Sequence, residues 1–136
     1  MAGTYKTLVQ AGALFAIAGG AMDAALGVGA LRQLGSTIPA NIAAIPELDS
    51  QARIYGMILI GYGALTWLYT RDMQRYAPVL IILAVAIFLG GCMRFVSMAL
   101  TGLPPLPMRV LLGLELGLPA LLLWMHHRHR QPAAQR

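Results

Sequence analysis

The chain has 136 residues, the length of a single domain. Hydrophobic residues make up 58% of it and charged residues 11%, with a mean hydropathy of +0.67. Soluble domains carry about 25% charged residues, so an ordinary soluble globule is excluded and an integral membrane protein is expected. The net charge of +5 and pI near 10.0 do not signal nucleic acid. The basic residues are scattered between apolar runs and gather mainly at one expected membrane face, which fits orientation in a bilayer better than a phosphate-binding stripe. A lone Cys92 excludes an intramolecular disulfide and any multi-cysteine metal site.

Four apolar stretches, about 8–31, 54–70, 76–100 and 108–125, approach or exceed the roughly 20 helical residues that cross a hydrocarbon core. Spanning segments must satisfy their own backbone hydrogen bonds, so helices are expected. No period-two alternation marks a β-barrel. The fold class that follows is all-α: a polytopic membrane protein, a four-transmembrane-helix bundle in one domain over 1–136. The first stretch is far longer than the roughly 7–15 residues of a signal-peptide core and contains Asp23, so no cleavable leader is expected.

Between the first and second spans lies an outer loop, 32–53. Its Ile38, Ile42 and Ile45 keep roughly helical spacing between Pro39 and Pro46, which suits a short amphipathic segment on the outer interface; an irregular loop fits equally well. The second outer connection, 101–107, is a stiff proline-rich turn. Lys6, Arg71, Arg75, Arg128, Arg130 and Arg136 share one side of a four-pass chain, and outnumber Arg32, Arg53 and Arg109 opposite. Positive charge favours the cytoplasmic side, so both termini and the tail 126–136 are expected there. Tyr5, Tyr69, Tyr76 and Trp124 fall near that interface, where amphipathic rings anchor.

The informative residues are the charges inside the spans. Asp23, Arg94 and Glu115 lie in the first, third and fourth. Counted from the outer ends, each is about six to nine residues in, roughly 9–13 Å deep at about 1.5 Å per residue. Arg53 opens the second span and has a stem long enough to reach the same level. A charge at a helix centre costs about 2.5–3.5 kcal/mol to insert, so each needs a partner or a task. Gly19, Gly20 and Gly27 flank Asp23, Gly90, Gly91 and Ser97 flank Arg94, and Gly113 and Gly117 flank Glu115. Small residues let helices approach closely in lipid. Pro119, one turn beyond Glu115, cannot donate the helical hydrogen bond back to it. Two readings follow: the charges pair only to lock the bundle, or they form a ligand or proton site.

Several motifs in this chain resemble one family. They are ArgIleTyrGly at the start of the second span (Arg53, Tyr55, Gly56), GlyTyrGly (Gly61, Gly63), and PheLeuGlyGlyCysMetArgPheValSer in the third (Phe88, Arg94, Ser97). GlyLeuPro (Gly102, Pro104) and Glu115 follow, and Asp23 with its glycines fits the same layout. The pattern resembles the bacterial four-helix membrane family catalogued as domain of unknown function four-three-four-five. The resemblance implies a four-helix fold, with Arg53, Arg94 and Glu115 at family-type positions and the tail from His126 outside it. It implies no activity.

Other sites are weaker. His126, His127 and His129 sit among arginines in what reads as a solvated tail, a poor place for a cation. Cys92 and Met93 form a soft pair that suits core packing better than copper. No phosphate loop, HisGluxxHis, GlyxSerxGly or paired axial-histidine pattern occurs, so no metal or cofactor is expected. The leading expectation is a membrane protein that binds or carries an amphiphilic, lipid-like molecule through Asp23, Arg53, Tyr55, Arg94, Ser97 and Glu115. The alternatives are an isomerase-like enzyme with Glu115 or Asp23 as acid or base, a proton-coupled transporter, and an accessory subunit. Expected partners are membrane lipid, an amphiphilic small molecule, and a second copy or larger membrane complex, with no nucleic acid.

Overall fold

The computed structural model describes residues 2–130. In chain order the helices are α1 (Ala2–Leu26), α2 (Gly29–Gln33), α3 (Ala40–Ala43), α4 (Pro46–Tyr69), α5 (Ala77–Thr101) and α6 (Leu106–Arg130). The described residues contain no strand. Among them, three segments are long and apolar enough to cross a membrane: Gly3–Leu26, Ala77–Thr101 and Leu106–Arg128. That is consistent with a membrane protein. Helix α4 has comparable length, but Glu47, Asp49 and Arg53 in its opening turns dilute its apolar character.

The helix ends differ from the apolar stretches for local reasons. Helix α1 stops at Leu26 because Gly27 takes φ 56°, a left-handed conformation that ends helices and suits glycine. The chain then re-enters helix as α2, so the expected span 8–31 is broken in two. Helix α4 starts at Pro46 rather than near 54. Proline is preorganised for the first helical position, and Glu47 and Asp49 favour the positive end of the helix dipole. The expected interfacial segment contracts to the single turn α3, with Ile42 and Ile45 exposed. Helix α6 runs on to Arg130 and takes up part of the expected tail; residues 131–136 lie outside the described residues.

The long helices pack as two antiparallel pairs. Helix α1 lies against α4 through glycines: a Cβ on Gly20 would fall 2.5 Å from the Gly56 carbonyl oxygen and 2.8 Å from the Ile60 nitrogen. Helix α5 meets α6 at Gly91 through side chains instead: a Cβ there would fall 2.9 Å from Leu116 Cδ2 and 3.1 Å from Glu115 Cβ. Helices packed this closely gain dispersion contacts, which drive association where lipid removes the hydrophobic term. The two pairs join at one end around Tyr5, Val9, Tyr69 and Leu80, surrounded by Met73, Tyr76, Leu122 and Met125. Elsewhere apolar side chains such as Phe15, Ile58, Ile82 and Leu89 point outward.

A Gly20→Val substitution is expected to force α1 from α4 and destabilise the fold by about 1–3 kcal/mol. Gly61, with nothing within 4 Å of an added Cβ, tolerates Gly61→Ala. Thermal unfolding in detergent distinguishes the two; equal melting temperatures would remove the close-packing argument.

Candidate functional site

Arg94 and Glu115 meet across α5 and α6. Arg94 Nε donates to Glu115 Oε2 and Nη2 to Oε1, each at 2.8 Å. This two-pronged arrangement matches guanidinium to carboxylate geometry and is stronger than a single contact. Gly91 permits it by letting α6 approach at Glu115, one turn from Arg94. Pro119, inside the helix, leaves the Glu115 backbone carbonyl without its usual donor. The pair is not sealed: the side chains remain 37% and 24% exposed.

Arg53 turns elsewhere. Its Nε donates to Asp49 Oδ2 at 2.7 Å, and its Nη1 donates to the Ala24 and Ala25 carbonyls, both at 2.9 Å. Asp49 Oδ1 in turn accepts the Val28 N–H at 3.3 Å. Together they close the carbonyl end of α1, where a cation also opposes the negative pole of the helix dipole. The Arg53 hydrogen bond holds the Asp49 carboxyl below its ordinary value of 3.8.

Asp23, half-buried one position before these carbonyls, forms no ion pair among the described residues. Tyr55 is exposed on α4 and Ser97 on α5. The charges expected at a common depth thus divide into a paired Arg94–Glu115, an Arg53 committed to capping, and an Asp23 outside both ion pairs. Among the described residues no group of three His, Cys, Asp or Glu side chains is placed to hold a metal.

At the opposite end lies a polar chain that the motif reading did not anticipate. The Tyr5 and Tyr69 hydroxyls are 3.0 Å apart, and the Tyr69 hydroxyl lies 2.7 Å from His126 Nδ1. Tyr5 also donates to the Leu122 carbonyl at 3.5 Å. Tyr5 and Tyr69, expected as interfacial anchors, and His126, expected in a solvated tail, are instead buried. The signal was periodic: Leu112, Pro119 and His126 repeat every seven residues on one face of α6, and all three are buried. The His129 side chain lies outside the described residues.

Residues 5–126 match the family described as domain of unknown function, DUF4345. The chain belongs to that family. The match runs from the first buried tyrosine to the buried histidine, so His126 lies within the family region and not beyond it. No curated protein and no solved structure matches this DUF4345 chain.

Tyr69→Phe removes the hydroxyl that bridges Tyr5 and His126 and is expected to cost about 1–3 kcal/mol of stability, measured by thermal unfolding. The Asp49 contribution carries a pH sign: a carboxyl held low in the folded state stabilises fully above its ordinary value and progressively less as pH falls through the depressed one. Arg53→Gln is expected to return the Asp49 midpoint upward in an NMR titration. An unchanged midpoint would remove Arg53 as the cause.

Proposed function

We propose that this chain is a four-spanning protein of the bacterial inner membrane, with both termini cytoplasmic, that binds or carries an amphiphilic, lipid-like molecule. One observation supports it above the rest: the Arg94–Glu115 pair stays accessible within otherwise apolar helices. Charge exposed to hydrocarbon is costly, whereas a polar headgroup over the pair would satisfy the free lone pairs and N–H groups. The exposed neighbours Met93 and Leu114 suit the adjoining alkyl chain. Because the pair offers both signs, a headgroup with both donors and acceptors fits it better than a simple anion. Asp23 sits on the other helix pair as a second acceptor, and Arg53, Tyr55 and Ser97 complete the candidate set. The comparable length of α4, and its glycine packing on α1, support counting it as a fourth span. The excess of cations on the side of the termini supports their orientation.

Asp23 favours a second reading. A half-buried carboxyl outside the ion pairs can bind and release a proton, as a proton-coupled transporter or an isomerase-like enzyme requires. Asp23→Asn then abolishes turnover or coupling while leaving ligand retention intact.

Native mass spectrometry of the gently purified protein tests the first reading beside Arg94→Gln. A small amphiphile retained by the wild type and lost from the variant is the expected result. A bare wild-type protein, or retention unchanged by Arg94→Gln in a folded sample, overturns it. Loss of a co-purifying protein instead moves the role of the pair to assembly.

A further inference from the structure

We propose that the end of the bundle built on Tyr5, Tyr69 and His126 is a binding surface for anionic phospholipid headgroups, with Lys6, Arg71, Arg75 and Arg128 as the phosphate-binding cations. The surface is separate from Arg94–Glu115: Arg128 lies about 20 Å from Glu115 along α6 at the helical rise of about 1.5 Å per residue. It does not depend on the ligand proposed there.

Four observations converge. The buried cluster of Tyr5, Val9, Tyr69 and Leu80, with Met73, Tyr76, Leu122 and Met125, draws the ends of all four long helices together. Lys6, Arg71, Arg75 and Arg128 are close chain neighbours of these residues, so they surround one end, and all are exposed.

The charge there is unbalanced. Among the described residues the ion pairs are Arg53–Asp49 and Arg94–Glu115, so none of these four cations is held in a salt bridge to a carboxylate. The acid nearby, Asp72, instead accepts the Arg75 backbone N–H through Oδ1 at 3.0 Å.

Two of the guanidinium groups are already oriented. Arg75 lies over the Tyr76 ring, 5.6 Å from its centroid, and Arg128 over Trp124 at 4.2 Å. Cation–π contact holds a guanidinium at the level of its ring, and Tyr and Trp rings settle at headgroup depth. The edge N–H groups stay available for phosphate oxygens, which a guanidinium grips in a fork.

Finally, the cations coincide with the limits of the apolar segments. Lys6 falls in the first turns of Gly3–Leu26, Arg75 just precedes Ala77–Thr101, and Arg128 closes Leu106–Arg128. Whichever leaflet this end faces, the charges sit at the boundary between hydrocarbon and water, where lipid phosphates lie. Juxtamembrane Lys and Arg clusters are attracted to anionic lipid through this placement.

The test is lipid retention by the full-length protein in nanodiscs containing equal parts phosphatidylcholine and phosphatidylglycerol, read by native mass spectrometry. Wild type is expected to retain phosphatidylglycerol over phosphatidylcholine by about fivefold or more. Arg75→Gln/Arg128→Gln is expected to bring that ratio close to one, and Arg109→Gln, at the other end of α6, to leave it unchanged. Raising salt from about 0.05 to about 0.5 M is expected to lower the wild-type enrichment as screening shortens. No wild-type preference, a preference indifferent to salt, or an Arg109→Gln loss equal to that of the double variant would overturn the proposal. Should the double variant not fold, Arg71→Gln alone decides: it lies in a loop and makes no ring contact, and an unreduced ratio counts against the surface.

Discussion

Every polar group in an apolar helix needs a partner within the protein or beside it, because hydrocarbon provides none. The best-defined polar contacts of this chain pair such groups within the protein. Arg94 and Glu115 satisfy one another with two parallel hydrogen bonds. Arg53 spends its guanidinium on the open carbonyls of α1 and on Asp49. Tyr5, Tyr69 and His126 do the same at the far end by linking hydroxyl to hydroxyl to imidazole. Each arrangement requires helices to approach closely, and glycine supplies the approach at Gly20 and Gly91.

The two ends of the molecule consequently differ in kind. Near Tyr5 and Tyr69, all four long helices contribute to one buried core, and hydrogen bonds join α1 and α4 to α6. Towards Asp23 and Arg94 the described hydrogen bonds and ion pairs stay within each helix pair, and the charged side chains keep part of their surface. Arg94–Glu115 can close the α5–α6 pair and still receive a polar group. A binding role and a packing role are therefore compatible in the same two side chains, and the distinction rests on what covers their exposed atoms.

Much of this was legible residue by residue. The apolar stretches announced the long helices, and Gly91 three positions before Arg94 announced a close approach on the same helix face. The common depth of Arg94 and Glu115 also pointed towards a shared level. What depth alone lacks is direction around the helix axis. Arg53 and Asp23 occupy neighbouring helices at suitable levels, yet Arg53 selects Asp49, four residues back on its own helix, together with the α1 carbonyls. The i, i+4 spacing of Asp49 and Arg53 is readable in the sequence, but spacing within one helix does not show that the pair closes the carbonyl end of another.

His126 shows the same limit from the other side. Hydropathy assigns a histidine among arginines to solvent, whereas heptad spacing from Leu112 and Pro119 assigns it to the packed face. The two signals conflict, and packing against Tyr69 resolves them. By itself the sequence determined the all-helical class, the apolar segments and the few charges that had to be accounted for, because composition and helical period act locally. Only the tertiary structure decided which charge met which partner, where Gly27 ended the first helix, and which tyrosines were buried. Those outcomes depend on the rotation and approach of helices far apart in the chain, set by packing that no local pattern encodes.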